Sequence, residues 1–475
     1  MNGKNPDPAP HPFSGREAER SPDALSSGVD LVREAFRYQS RFDGSTMVFK
    51  IDFPVTEDPA FPYLVRDLAL LARTGFRVVI VPGAKEWIDS VLGEYGIVSR
   101  YMGNTRITAS DAMPFVEMAA FHVATRFMTG ISAGRTDAVI GNFVRARGLG
   151  IVDGTDMERT GTVDKIFTGS INTVLSQGMI PILPCIGWSP AGKSYNVPSD
   201  EIALAASTAL KAIKLFVISA HEGLRAGQYI FPPGFEAASG GRVRRLTPQE
   251  AENILALNGE GKGGPDKNAA GEKGAPSRKV LGELALALKA CRAGVDRVHL
   301  MDGREEGAVL LELFSNLGAG AMIYTDEYEA IRDLRSGDIP DILRMMEPLM
   351  QQGILVRRRA EDIQERRGDY VVFDIDGKIH ACGALHDRGE GQGEIAAIAT
   401  DPSCTDTGLG RRIIGYLVDR AKKRGMKRVF VLTTRAHDWF EALGFRESAV
   451  ESLPAERSRS YDRNRKSKIF ALELN

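Results

Sequence analysis

The first two thirds of the chain alternate short apolar runs with longer amphipathic segments. Apolar runs at 47–51 and 76–81 are typical of buried strands, and the helical period of residues 63–73 indicates a helix between them. The same rhythm continues to about residue 300. Further predicted strands lie at 178–183, 215–219 and 295–300, and further predicted helices at 29–38 and 201–213. Strands that alternate with helices predict an α/β sheet covered on both faces.

A second pattern begins beyond residues 324–330, where we predict a domain boundary. Residues 331–353 have the pattern of helices, and a strand-rich series starts at Tyr370. Within it, a strand at 394–400 leads through a loop at 405–410 into an amphipathic helix, and a strand at 428–434 follows. The apolar stripe of that helix consists of Leu409, Ile413, Ile414, Leu417, Val418 and Ala421. We therefore divide the chain into a tail (1–27), a first domain (28–325) and a second domain (326–475).

Composition narrows the class of protein. The chain has 475 residues, of which 43% are hydrophobic and 26% charged, as is ordinary for a globular protein of two or three domains. The formal net charge of -1 argues against wholesale nucleic-acid binding, and no apolar run reaches the roughly 18 residues that a membrane helix needs. Two segments without periodicity, 1–27 and 259–277, are expected to be a disordered tail and a flexible surface insertion.

The cysteines give no sign of a metal site or a disulfide framework. Cys185, Cys291, Cys382 and Cys404 are far apart, form no Cys-x-x-Cys pair and have no histidine at zinc-ligand spacing. We expect reduced thiols in a cytoplasmic protein without a metal, a nucleic-acid partner or a membrane association.

The loop Thr-Asp-Thr-Gly-Leu-Gly at 405–410 is suited to a phosphorylated ligand. Its glycines let backbone N–H groups approach a pyrophosphate at the start of a helix, where the helix dipole, Arg411 and Arg412 favour negative charge. Taken alone, the loop is equally compatible with a turn that simply opens a helix. With its flanking strands it resembles the GNAT superfamily of N-acetyltransferases, whose signature is Arg or Gln-x-x-Gly-x-Gly/Ala. Thr405 stands at the first position and removes one expected phosphate contact.

Further segments extend the resemblance to the N-acetylglutamate synthase family, whose bacterial members acetylate glutamate at the head of arginine biosynthesis. These segments are 352–358, 393–396, 431–435, 439–440, 444–445 and 465–468. The similarity covers about residues 28–475 outside the 259–277 insertion. It implies a GNAT (acyl-CoA N-acyltransferase) α/β domain that uses acetyl-CoA as co-substrate. The implied coenzyme A contacts are Ile398, Ala399, Thr405, Thr407, Gly408, Leu409, Gly410 and Arg411.

Acetyl transfer to an amine requires a base. An α-amino group with a pKa of about 8 is mostly protonated at pH 7, so a carboxylate has to take its proton. Glu394 is our candidate because it begins the strand along which the thioester should lie, whereas a solvent salt bridge is the alternative for a glutamate at a strand end. A backbone N–H of residues 397–399 is expected to meet the oxyanion. The resemblance implies Ser467 as the proton donor to the departing thiolate.

L-Glutamate carries two carboxylates, so its pocket requires fixed cations. Arginine suits this task because a guanidinium binds a carboxylate through two hydrogen bonds. By resemblance the substrate contacts are Leu355, Arg357, Arg457 and Arg465. The basic run 457–468 is also compatible with a solvated face or an RNA-binding tail, but the apolar run 469–472 directly after it ties it to a sheet.

Residues 28–325 resemble the amino acid kinase family, acetylglutamate kinase in particular, which implies a three-layer αβα domain. Active kinases of that family carry Lys-x-Gly-Gly after the first strand, where bare backbone cradles phosphates. Here Lys50 is followed by Ile, Asp, Phe and Pro, and a second glycine turn is reduced to Gly83 alone. Asn196 and Asp200 keep the spacing of a kinase motif, or simply cap the next helix. We expect a domain without kinase activity.

In arginine-sensitive relatives the kinase-like domain binds L-arginine. The resemblance implies an arginine site made of Tyr38, Lys211, His299, Glu312 and Gly318, in which Glu312 suits the guanidinium and Lys211 the carboxylate. An exposed helix glutamate and a loop histidine are the alternative. We expect arginine to inhibit acetyl transfer from this separate site, in a homo-oligomer that is a hexamer or a tetramer.

Two other functions are compatible with parts of the sequence. One is an acetylglutamate kinase with an accessory GNAT domain, against which the lost phosphate glycines argue. The other is an arginine-sensing scaffold in which both domains are inactive. The retention of Glu394, Gly408, Gly410 and Arg465 argues against the scaffold.

Overall fold

The computed structural model describes residues 36, 38–40, 42–232, 235, 241–258, 277–314, 319–325, 329–375, 378–401 and 408–474. The chain divides into two compact units, Met1–Ile323 and Tyr324–Asn475. The predicted tail at 1–27 and all but the last residue of the predicted insertion at 259–277 lie outside the described residues.

An eight-stranded sheet forms the centre of the first unit. Its strands in spatial order are β14 (Arg245–Leu246), β16 (Ala321–Tyr324), β15 (Arg297–Asp302), β13 (Lys214–Ser219), β1 (Thr46–Ile51), β2 (Arg77–Pro82), β10 (Ile180–Ile182) and β5 (Ala138–Ile140). Strand β1 pairs in parallel with both β13 and β2, and all of its residues are buried. Met47, Phe49 and Ile51 pack in one core and Val48 packs in the other. Both faces of this sheet are therefore covered, as the sequence pattern predicts.

Helices form the two outer layers of the first unit. They are α1 (Phe53–Thr56), α2 (Phe61–Arg73), α3 (Lys85–Glu94), α4 (Met113–Ala133), α5 (Thr168–Ser176), α6 (Ser199–Ala209), α7 (Pro248–Asn258), α8 (Arg278–Arg292) and α9 (Ala308–Phe314). Apolar residues of α2 and α4 fill one core, and those of α6 and α8 fill the other. This arrangement is a three-layer αβα fold.

Smaller sheets complete the described part of the first unit. A four-stranded sheet has the order β12 (Ser194–Asn196), β11 (Ile186–Trp188), β6 (Val144–Gly148) and β9 (Gly161–Ile166). Two hairpins join β3 (Arg100–Met102) to β4 (Thr105–Ile107) and β7 (Ile151–Val152) to β8 (Thr155–Asp156).

Helix α6 is shorter than the sequence pattern predicts. It ends at Ala209 rather than at residue 213. The chain reverses at Lys211, whose φ is 51°, and the backbone N–H of Ile213 donates to Thr46 O. The apolar residues after Ala209 continue the helical period by sequence, but they belong to the turn that delivers the chain to β13.

A seven-stranded sheet forms the second unit. Its order is β17 (Glu329–Asp333), β18 (Tyr370–Ile375), β19 (Lys378–Asp387), β20 (Gln392–Thr400), β21 (Arg428–Thr433), β23 (Lys468–Glu473) and β22 (Arg446–Ser448). All neighbouring strands are antiparallel except β20 and β21. The helices are α10 (Ile339–Gln351), α11 (Ala360–Glu365), α12 (Leu409–Lys423), α13 (His437–Ala442) and α14 (Ala455–Arg459). Helix α12 packs on one face of the sheet and α10 on the other.

Two sequence predictions for this unit have different outcomes. The apolar stripe of α12 is confirmed, since its residues are buried and Val418 is partly buried against the same core. The prediction of helix from residue 331 is wrong, because Ile331 lies in β17 opposite Phe373 of β18. The helical pattern is realised only from Ile339, where Pro340 occupies the first turn.

Candidate active site

The central feature of the second unit is the point at which β20 and β21 part. Their parallel pairing covers only Gln392 to Glu394 and ends at the pair Glu394–Phe430. Beyond it, β21 continues to pair with β23 and β20 with β19. Among the described residues, no strand pairs with the edge of β20 that faces β21 from Ile395 onward. This open edge offers backbone N–H and C=O groups to an extended amide-bearing ligand, as an added strand would use them.

A β-bulge lies on this open edge. The register between β19 and β20 shifts between Cys382 and Ala384, and Ala397 has a φ of 55°. As a result Ile395 and Ile398 both pack toward α12, three residues apart, where a regular strand would alternate. The bulge therefore re-aims the backbone just beyond Glu394. The predicted oxyanion donors at 397–399 and the predicted cofactor contacts Ile398 and Ala399 lie in this segment.

The start of α12 lies beside the far end of the same edge. Gly408 is the N-cap residue, with a φ of 73° that favours glycine. A Cβ on Gly410 would lie 3.3 Å from the ring of Trp439 and 3.8 Å from Thr400 Cγ2. The free N–H groups of the first turn, from Leu409, Gly410 and Arg411, make this helix end a site for phosphate oxygens. Thr405 and Thr407 lie outside the described residues, and Arg411 is exposed.

Glu394 is held by two guanidinium groups. Its side chain is buried. Arg388 donates from Nε to Oε2 at 2.7 Å, and its Nη2 lies 2.6 Å from the same oxygen. Arg457 donates from Nε to Oε2 and from Nη2 to Oε1, both at 3.0 Å. Arg457 thus binds both carboxylate oxygens, whereas Arg388 binds only Oε2.

The two arginines keep Glu394 ionised. Burial by itself raises the pKa of this carboxyl, but the hydrogen bonds and charges of Arg457 and Arg388 outweigh burial and hold the pKa below its ordinary value. An ionised carboxylate has the right protonation state for a base. With both cations in contact, however, it binds a proton weakly.

Further guanidinium groups lie near Arg457. Arg465 donates from Nη2 to the carbonyl oxygens of Ile354, at 2.5 Å, and Gly353, at 3.2 Å, next to the predicted contact Leu355. Burial and the positive charges of Arg358 and Arg457 lower the pKa of Arg465. Because cations outnumber carboxylates here, the neighbourhood favours a ligand that brings negative charge.

The structure brings some predicted residues together and adds others. Glu394, Arg457 and Arg465 form one neighbourhood, while Arg357 is exposed and its neighbour Arg358 is partly buried beside Arg465. Arg388 is absent from the sequence prediction. The signal for it is the glycine-containing turn between β19 and β20, which folds Arg388 back onto Glu394.

Ser467, the predicted proton donor, lies at the entrance to β23. It is buried, and its carbonyl oxygen accepts a hydrogen bond from Tyr461 Oη at 2.6 Å. The preceding residue, Lys466, has a φ of 50°. These contacts fix the backbone of Ser467; the role of its hydroxyl stays a prediction.

In the first unit, the predicted effector residues His299 and Glu312 form a buried pair. His299 Nδ1 lies 2.6 Å from Glu312 Oε1, and Glu312 Oε2 accepts the backbone N–H groups of Ala319 and Gly320. Burial and the charge of Lys214 lower the pKa of His299. The hydrogen bonds from His299 and the backbone lower the pKa of Glu312 despite burial, which raises it. We therefore assign a neutral His299 whose Nδ1–H donates to an ionised Glu312.

This assignment leaves His299 Nε2 as a hydrogen-bond acceptor. The atom is buried and has no hydrogen-bond partner among the described residues. Lys214 begins β13 and acts on the pKa of the His299 imidazole, whereas the predicted Lys211 is exposed in the turn before β13. The role of Lys211 in an effector site stays a prediction. Gly318 lies outside the described residues.

The position of the kinase glycines is occupied by an ion cluster. Lys50 Nζ lies 2.6 Å from Asp52 Oδ1 and 2.8 Å from Asp200 Oδ1, and Lys279 Nζ lies 3.0 Å from Asp52 Oδ2. A Cβ on Gly83 would lie 2.9 Å from the same Asp52 carboxylate. Asp52 therefore fills the space between two lysines and the Gly83 turn. Asp200 binds Lys50, and no side chain caps α6, so the capping interpretation of this motif is wrong.

The remaining features of the described part of the chain concern metal ligands, membrane spans and thiols. Within it, no group of three or more His, Cys, Asp or Glu side chains is placed to hold a metal ion, and no helix is long and apolar enough to cross a bilayer. Cys185, Cys291 and Cys382 are free and buried, and burial raises the pKa of each thiol to about 12. Cys404 lies outside the described residues.

Comparison with known families matches each unit separately. Residues 52–302 match the amino acid kinase family, and residues 338–445 match the acetyltransferase (GNAT) family.

Whole-chain relatives combine the two units in the same order. The chain is 34% identical over 460 residues to the amino-acid acetyltransferase of Azotobacter vinelandii, covering 94% of this chain and 99% of the relative. It is 31% identical to the amino-acid acetyltransferase of Neisseria meningitidis, with 94% and 98% covered.

Solved structures of N-acetylglutamate synthase from Neisseria gonorrhoeae are also similar. The complex with coenzyme A and L-arginine has a TM-score of 0.77 at 29% identity, covering 94% of this chain and 99% of that one. The complex with coenzyme A and N-acetyl-glutamate has a TM-score of 0.57 at 30% identity, with the same coverage.

Proposed function

This chain belongs to the amino-acid acetyltransferase family of N-acetylglutamate synthases, and we propose that it transfers acetyl from acetyl-CoA to the α-amino group of L-glutamate. The observation that carries this proposal is Glu394, a buried carboxylate at the end of the β20–β21 pairing that Arg457 binds through both oxygens, with Arg465 close to Arg457. A base for an amine and cations for carboxylates lie beside the open strand edge.

The proposed reaction uses these groups in sequence. The pantetheine arm lies along the open edge of β20, and the pyrophosphate lies at the N-terminus of α12. Glu394 accepts a proton from the α-ammonium group, directly or through water, and the neutral amine attacks the thioester carbon. A backbone N–H at the bulge stabilises the oxyanion. When the tetrahedral intermediate collapses, its C–S bond breaks, the nitrogen releases its second proton to become the amide, and the thiolate takes a proton, for which Ser467 is the predicted donor.

The acceptor is assigned to L-glutamate because of charge. Its α- and side-chain carboxylates match Arg457 and Arg465, with Arg357 available at the surface next to Leu355. A monocarboxylic amino acid could bind only one of these two arginines, so its second carboxylate contact would be missing.

Mass spectrometry of the product tests this function. Native protein with acetyl-CoA and a panel of amino acids should yield N-acetylglutamate as the main product. Glu394→Gln should lower kcat by 100-fold or more, as loss of a general base typically does, whereas Glu441→Gln, an exposed change on α13, should match the native rate. Failure to acetylate glutamate, or an unchanged rate in Glu394→Gln, would contradict the proposal.

We also propose that L-arginine inhibits this reaction through the first unit. The Glu312 carboxylate and the unpaired Nε2 acceptor of His299 are suited to a guanidinium, and Lys214 supplies the positive charge for the arginine carboxylate. Such inhibition fits our further proposal that the reaction is the first step of arginine biosynthesis. Titration of arginine against the acetylation rate tests this, and no response at millimolar arginine would refute it.

Phosphoryl transfer is not part of the proposed function, because the Asp52 carboxylate would repel ATP phosphates from Lys50 and Lys279. For the assembly we propose a cytoplasmic homo-oligomer, a hexamer or a tetramer. Sedimentation analysis distinguishes the two.

A further inference from the structure

We propose that Arg457 is a cap on Glu394, meaning that it blocks the carboxylate until substrate binds. Arg388 is the positioning residue that holds Glu394 when this cap is removed. In this mechanism a carboxylate of the acceptor amino acid takes Arg457 away from Glu394. The inference rests on the proposed function, since it assigns the order of events at the same base.

The geometry of the two arginines makes the exchange selective. Among the described residues, only Arg457 makes a hydrogen bond to Glu394 Oε1, through Nη2 at 3.0 Å. Arg388 contacts Oε2 alone, through Nε at 2.7 Å and Nη2 at 2.6 Å. Departure of Arg457 therefore leaves Oε1 without a hydrogen-bond partner in the described part of the chain, while Arg388 still anchors Oε2. Oε1 is then the oxygen that accepts the proton from the ammonium group of the acceptor.

The surrounding structure also holds Arg388 more firmly than Arg457. Arg388 belongs to the turn that joins β19 to β20, and its backbone N–H donates to Gln392 O at 3.0 Å, two residues before Glu394. Its position relative to Glu394 is therefore fixed by one hairpin. Arg457 comes from the short helix α14, and its remaining contacts are long ones to Ser460, at 3.3 and 3.4 Å. Of the two, Arg457 is the one that is free to change partner.

The exchange of partners by Arg457 also makes Glu394 a stronger base. With both guanidinium groups in contact the carboxylate binds a proton weakly, and the loss of one cation raises its affinity for a proton. The base thus becomes competent only when an acceptor carboxylate is bound. Amines without a carboxylate leave the cap in place, so the same contact provides discrimination between acceptors.

The pH dependence of kcat/KM for glutamate tests the role of Arg388. Arg388→Gln removes a cation from Glu394. The acid limb of the profile, where activity falls as Glu394 becomes protonated, should therefore move to higher pH by about one unit or more. The value of kcat should fall while KM for glutamate changes less than about threefold. Arg388→Lys keeps the charge and should restore most of the acid limb. Arg446→Gln, an exposed arginine on β22, is the matched control and should leave the profile unchanged.

Arg457 should behave differently. Arg457→Gln removes both the cap and the carboxylate ligand, so KM for glutamate should rise about tenfold or more, equivalent to about 1.4 kcal/mol of lost binding. The preference for glutamate over an amine without a carboxylate should shrink by a similar factor. An acid limb that stays in place in Arg388→Gln, or an increase in KM for glutamate without a shift of the limb, would overturn the assignment of Arg388.

A measurement without turnover separates this inference from the proposed function. In the NMR spectrum of protein labelled with ¹³Cδ-glutamate, the signal that is absent from Glu394→Gln belongs to Glu394. Its chemical shift against pH reports the titration of this carboxyl group. That titration should move to higher pH in Arg388→Gln and on addition of glutamate to native protein. Calorimetric binding of coenzyme A shows that each variant is folded. If native protein acetylates a different amino acid, the proposed function fails, whereas an unmoved Glu394 titration refutes the cap and the positioning role.

Discussion

The ammonium group of Lys214 lies 5.1 Å from the centre of the Tyr38 ring. This cation–π contact joins the first residue of β13 to the helical residues that precede β1, and the Tyr38 ring also packs edge-on against Phe314 at the end of α9. Lys214 acts in turn on the His299 imidazole. Residues predicted for an effector site from distant parts of the sequence thus meet around Lys214.

Lys214 and Lys211 provide a direct comparison for the arginine site. Lys214→Met should weaken inhibition by arginine about tenfold or more, because a buried cation that can face the effector carboxylate is lost. Lys211→Met, which changes an exposed lysine three residues away, should leave the inhibition constant unchanged. The measurement is the arginine dependence of the acetylation rate at fixed glutamate and acetyl-CoA. The reverse pattern would return the site to Lys211.

Substitutions of two glycines test whether the start of α12 binds acetyl-CoA. Gly410→Val places methyl groups against the Trp439 ring and beside Thr400, and should raise KM for acetyl-CoA about tenfold, the equivalent of about 1.4 kcal/mol. Gly415→Val makes the same change on the exposed side of the same helix, where no atom lies within 4 Å of the added Cβ, and should leave KM unchanged. Equal effects of the two substitutions would place the cofactor elsewhere.

Asp67 gives the first unit a pH-dependent stability. It lies in α2, and burial, with a smaller contribution from Glu306, raises its pKa to about 6 against the opposing charge of Arg66. The folded state then holds the proton more tightly than the unfolded state, so this contribution to stability is lost as pH rises from about 4 to about 6. Asp67→Asn should increase the free energy of unfolding by about 1 kcal/mol at pH 8 and change it little at pH 4. Urea unfolding at both pH values checks this, with the exposed Asp111→Asn as control.

Lys50 is expected to stabilise the fold although the domain has no assigned kinase role. It is buried between the carboxylates of Asp52 and Asp200. Lys50→Met leaves Asp52 with Lys279 as its partner and should lower the free energy of unfolding by about 3 kcal/mol. Lys193→Met, at an exposed turn, should change it by less than about 0.5 kcal/mol. A loss below about 1 kcal/mol in Lys50→Met would show that the ion cluster contributes little.

Much of the site neighbourhood follows from local sequence signals. Glu394 lies near the start of a strand, Gly408 precedes an amphipathic helix, and Arg465 precedes an apolar run, and each of these features depends on residues close by in the chain. The apolar stripe of α12 is likewise a matter of periodicity. Errors arise where a local pattern is ambiguous. Ile331 continues a helical period yet lies in β17, because pairing with β18 outweighs propensity there.

The sequence by itself determined the two fold classes, the order of the units, and the residue types that an acetyltransferase and an effector site require, because these depend on periodicity and on motifs of neighbouring residues. Only the tertiary structure decided which side chains touch. It placed Arg388 on Glu394 through a turn, Lys214 beside His299 at the start of β13, and Asp52 between Lys50 and Lys279. Such contacts depend on register, on helix ends and on cross-strand proximity, for which one-dimensional patterns carry little information.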